Sequence, residues 1–125
     1  MGAAERSAHG SVTAEAAIVL PIMAAFALTL IWMISVGIAQ IQAVDAARDA
    51  AREIARGGDV DAATARARVT APADARVDID RSAGEAVVTV SFTAKPPRWL
   101  FVPLPPVGIS ASSSVEVERD DAREP

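Results

Sequence analysis

The chain has 125 residues, 51% of them hydrophobic and 22% charged, and 12 Lys+Arg against 16 Asp+Glu leave a net charge of −4. That length holds one small domain; the acidic balance excludes a nucleic-acid surface built on clustered positive charge, and the lack of cysteine excludes disulfide stapling and thiolate metal sites. One histidine and no tyrosine leave little material for acid–base or nucleophilic chemistry, so the chain is not expected to be an enzyme or to hold a cofactor, a metal or a small-molecule substrate.

Charge is unevenly spread. Residues 1–10 form a short polar leader containing Glu5, Arg6 and His9, and no charged residue then occurs between Glu15 and Asp45. The apolar run Ala16 to Ala39, AAIVLPIMAAFALTLIWMISVGIA, spans roughly 36 Å as a helix, enough for a hydrocarbon core of about 30 Å. A helix apolar on all sides needs lipid or a large core around it, and a chain this short cannot build that core. Residues 11–39 therefore read as a transmembrane helix. Pro21 removes one helical hydrogen bond near its start, which predicts a kink or loosening and not a break.

Residues 40–72 extend that helix beyond the membrane. Gln40 to Arg56 is built from good helix formers, so the helix is expected from about Thr13 to Arg56. Acid precedes base by three residues in Asp45–Arg48, Asp49–Arg52 and Glu53–Arg56, pairs that meet on a helix face. Ala39, Ala43, Ala47, Ala51 and Ala55 recur every fourth residue, leaving a smooth ridge against which another helix can pack closely. Gly57 and Gly58 stop the helix. Asp59 then caps a second, shorter, alanine-rich helix that runs to about Val69 and ends before Pro72.

From residue 73 to 119 the period changes to two. Val77 and Ile79 alternate with Asp78 and Asp80, and Arg81-Ser82-Ala83-Gly84 supplies a turn. Ala86, Val88, Val90 and Phe92 then form one face of a second strand. A proline-rich apolar loop, KPPRWLFVPLPPVG, leads to a third strand in which Ile109, Ala111, Ser113, Val115 and Val117 alternate. Its Trp99-Leu100-Phe101 cluster either caps the open end of a small core or meets a partner subunit. Residues 120–125 read as a frayed tail. The fold class is α+β, a long N-terminal transmembrane helix continuing into a small domain with a short helix and a three-stranded antiparallel meander.

The informative junction is HGSVTAEAAIVLP, where Gly10 precedes a candidate cut and Glu15 is a lone acid five residues beyond it. An ordinary secretory signal is cut after its hydrophobic stretch. A cut here precedes the stretch, so the helix stays in the mature protein. The arrangement resembles the class III leader of type IV prepilins. Taken with the AAR-DAAR-EIAR helix and the valine-rich meander, the run GSVTAEAAIVLP resembles the TadE-like pseudopilins of the tight-adherence (Tad, or Flp) pilus system. The resemblance implies a pilin-like fold and cleavage by a prepilin peptidase between Gly10 and Ser11. It also implies that Glu15 lies beside a new amino terminus when helices bundle. Its implied partners are the membrane, the peptidase, other Tad pilins and the assembly platform. Ser11 stands where many type IV pilins have phenylalanine, so N-methylation is not implied.

Two other readings use the same residues: an uncleaved signal-anchored envelope protein with a small binding domain, and a secreted protein cut after Gly37-Ile38-Ala39. Topology rests on competing signs. Arg48, Arg52 and Arg56 outnumber Arg6, which by the positive-inside rule alone puts the C-terminal domain in the cytoplasm. The leader arrangement, and the acids interleaved with those arginines, place the N-terminus there instead.

Overall fold

The computed structural model describes residues 2–117, with side chains from residue 8 onward. The expected tail at 120–125 lies outside the described residues. In chain order the elements are α1 (Gly2–Ala55), α2 (Val60–Thr70), β1 (Arg76–Ser82), β2 (Glu85–Ala94) and β3 (Val107–Glu116). The chain is α+β, and it divides into two compact units: one takes residues up to Ile34 with Pro96–Pro105, the other Ser35–Lys95 with the chain from Pro106 onward.

Helix α1 starts earlier than the expected Thr13. Gly2 to Gly10 is helical because alanine and other good helix formers dominate the leader. Thr13 does not cap; its Oγ1 donates back to the His9 carbonyl oxygen at 2.9 Å, a bond made inside an existing helix. The helix also runs unbroken through Pro21. It is long and apolar enough to cross a membrane, and none of its most apolar window is buried. This fits a single-pass membrane protein.

At its other end α1 closes in a Schellman motif. Gly57 adopts φ +88° and its N–H donates to the Ile54 carbonyl at 3.0 Å, while the Gly58 N–H reaches the Glu53 carbonyl at 3.0 Å. Asp59 caps α2 as expected, accepting from the Ala62 N–H at 2.7 Å. The Ala71 N–H closes the last turn onto Ala67 at 2.9 Å.

The three strands form an antiparallel sheet in the order β1-β2-β3. Its inner face carries Ala86, Val88 and Val90 of β2, opposite Ile79 and Val77 on one side and Val115, Ser113 and Ala111 on the other. These pack with Ala43, Ala46, Ala50 and Ile54 of α1 and with Ala63 and Ala67 of α2. The outer face presents Asp78, Asp80, Thr89, Ser112 and Ser114, which is why the strands alternate. Two polar contacts tie the helical layer together and to the sheet: Thr70 Oγ1 donates to Asp49 at 3.3 Å, and the Arg81 guanidinium donates to the Gly58 carbonyl at 3.1 Å.

The β1–β2 turn is tighter than the four-residue one read from sequence. Ser82 pairs with Glu85, leaving Ala83 (φ 53°) and Gly84 (φ 86°) as the two central residues, both left-handed as in a type I′ hairpin. Glycine tolerates this region, whereas alanine is strained there by roughly 1–2 kcal/mol. Ala83→Asn is therefore expected to raise domain stability by about 1 kcal/mol, read as a higher melting temperature of the detergent-solubilised chain.

Candidate functional site

The junction residues Gly10, Ser11 and Glu15 all lie on α1 and all are exposed. Ser11 and Glu15 are four residues apart, so they share one helix face, with Cβ atoms roughly 5–6 Å apart. A Cβ built on Gly10 meets no heavy atom within 4 Å. Nothing in the fold therefore demands glycine at position 10. Beyond Glu15 the helix surface is apolar on all sides: Ile18, Leu20, Ile22, Phe26 and Ile34 are each at least 60% exposed. Glu15 is thus the last charged group before a surface suited to lipid.

The alanine ridge has a different setting from the one its spacing suggests. Ala39, Ala43, Ala47 and Ala51 are buried in the chain's own core with the sheet, and Ala55 alone is exposed. Small side chains at this spacing leave a smooth helix face that joins the sheet residues and Ala63 and Ala67 of α2 in one buried cluster. The same covered face includes Ala46 and Ala50, both fully buried, which a four-residue ladder leaves out. Continuing the alternation of three- and four-residue steps from Ala39 and Ala43 would have found them.

The charged flank is solvated. Arg48 meets Asp45 and Arg52 meets Asp49, each at 4.0 Å with both arginines largely exposed. Such surface pairs contribute little to stability. The third expected pair, Glu53–Arg56, coincides with the helix stop, where the Glu53 side chain lies against Gly58. Among the described residues no cluster of three or more His, Asp or Glu is placed to hold a metal ion, and Asp78 and Asp80 stand on the outer sheet face.

No curated protein and no solved structure matches the chain. Residues 10–52 match the family of TadE-like proteins. The matched stretch opens on Gly10, contains Ser11, Glu15 and the whole apolar run, and closes on the charged part of α1. The match runs from the junction to Arg52, roughly a third of the chain's length.

Proposed function

We propose that the chain is a minor pilin, or pseudopilin, of a Tad-type pilus. It is made as a prepilin with its leader in the cytoplasm, and a prepilin peptidase cuts it between Gly10 and Ser11. The apolar helix is retained, the α+β domain lies outside the cytoplasm, and the protein helps to assemble an adhesive or secretion-related filament with other Tad pilins and the assembly platform. It acts as a substrate and a component, with no catalysis of its own.

The observation that carries this reading is one of order. The TadE-like stretch begins at the candidate cleavage residue, and the apolar helix and folded domain follow it. Electrostatics support it. In the uncut chain Glu15 sits within a helix that continues on its N-terminal side. After a cut at Ser11 it lies in the second turn of a new helix, near a free amine whose positive charge favours the carboxylate. A carboxylate drawn into lipid costs up to roughly 3 kcal/mol, and an amine about 4 Å away offsets much of this.

One observation favours the uncleaved signal anchor. The Gly10–Ser11 bond lies inside a helix, whereas proteases take extended backbone. Glycine weakens the helix there by about 1 kcal/mol relative to alanine, so local unwinding is cheapest at this residue. A cut after Ala39 fits least well, since Ala39 is buried at 8% exposure in the core that the remaining domain needs. Mass spectrometry of the protein from its own cells separates the three. A chain starting at Ser11 supports the proposal; one starting at Met1 or Gly2 establishes the anchor, and one starting at Gln40 the secreted product.

A further inference from the structure

The loop between β2 and β3 shares its compact unit with the most apolar part of α1. Pro96–Pro105 groups with the residues up to Ile34, and Leu100 is buried there at 7% exposure. Its neighbours point the other way. Trp99 is 56% exposed and Phe101 97%. A cap over a soluble core would turn Phe101 inward. Here one leucine is covered while the two aromatic residues beside it stay exposed, as Ile18, Leu20 and Phe26 of α1 do.

We propose that this loop is a second membrane-contacting element, with Trp99, Phe101 and Leu104 seated in the lipid interface. The proposal rests on the reading that α1 spans the bilayer, and it goes beyond processing and assembly. Three features of the segment suit that place. Pro96, Pro97, Pro103 and Pro105 have no N–H to leave unsatisfied, and the Leu100 and Leu104 N–H groups donate locally to the carbonyls of Pro97 (3.0 Å) and Val102 (2.9 Å). Lys95 and Arg98 are exposed, and no acid lies between Glu85 and Glu116. These cations reach anionic headgroups while their stems lie along apolar surface. An irregular loop is excluded from the hydrocarbon centre, so the rings sit at the headgroup–acyl boundary, about 5–10 Å deep, where tryptophan is favoured.

The chain has two tryptophans, Trp32 in α1 and Trp99 in the loop, so two single substitutions isolate them. Trp32→Phe leaves Trp99 as the reporter, and Trp99→Phe leaves Trp32. The full chain is reconstituted in phosphatidylcholine–phosphatidylglycerol vesicles, with or without phosphatidylcholine brominated near the carbonyl end of its acyl chains. The proposal expects Trp99 emission to fall by roughly twofold or more on bromination and to be shielded from aqueous iodide, as for an interfacial ring. Bromolipid quenching at Trp32 with none at Trp99, and iodide reaching Trp99 freely, overturns the loop proposal alone. Protection of Trp99 from both quenchers shows a protein surface covering it and also overturns the proposal. No bromolipid quenching at either residue overturns the spanning reading and the loop proposal with it.

Discussion

Gly10→Leu is expected to leave the leader attached to nearly all of the protein in cells that contain the peptidase, while the domain folds as before. The separation of these two effects follows from the local geometry. Position 10 is exposed, and an added side chain meets nothing within 4 Å. On a helix, leucine is favoured over glycine by somewhat less than about 1 kcal/mol, so the substitution strengthens the secondary structure it enters. Loss of processing therefore reports on the protease subsite, where the missing side chain and the ease of unwinding both count. The check is the mass of the chain extracted from membranes, alongside its melting temperature. A variant processed at the wild-type rate removes Gly10 from the cleavage site.

The second large effect concerns the alanine ridge. Ala43 of α1 is fully buried, in the same core cluster as Val88 and Val90, which are also fully buried. Ala43→Leu inserts three carbons into a packed helix–sheet contact, and such overpacking costs about 1–3 kcal/mol. The loss should appear in the dispersed, detergent-solubilised monomer, as earlier unfolding in denaturant. Ala55→Leu lies on the same ladder but is exposed, and is expected to stay within about 0.5 kcal/mol of wild type. Equal stability for both variants would mean that the ridge packs against a neighbouring molecule and not within the chain.

What was legible in the sequence depended on whether the cause was local. Gly57-Gly58, Asp59 and the alternation from Ala86 to Phe92 act over a few residues, and each appears in the structure where its chemistry directs. The start of α1 lies earlier than the expected Thr13 because Ala3, Ala4 and Ala8 carry the helix through the polar segment, and Thr13 bonds back to the preceding turn inside it. The spacing of the alanine ridge suggests another helix as its partner, and only the fold brings the sheet into the same core beside α2. The setting of Trp99 to Phe101 was hidden for the same reason, since residues near Leu100 and the first half of α1 are far apart in sequence. At the junction, Gly10 and Glu15 are unremarkable singly, and only their position ahead of the apolar run singles them out.

The core also has a thermal consequence. Among the described residues, ten of the fifteen buried hydrophobic side chains are alanines, and only Val88 and Val90 are large and fully enclosed. Methyl groups remove little oily area from solvent, so melting this domain should absorb less extra heat capacity than the usual value of about 12–15 cal/mol/K per residue. A shallow dependence of stability on temperature follows. Such a domain holds a similar, modest margin in the cold and in the warm, with backbone bonding and close contact carrying more of the load than water's avoidance of grease.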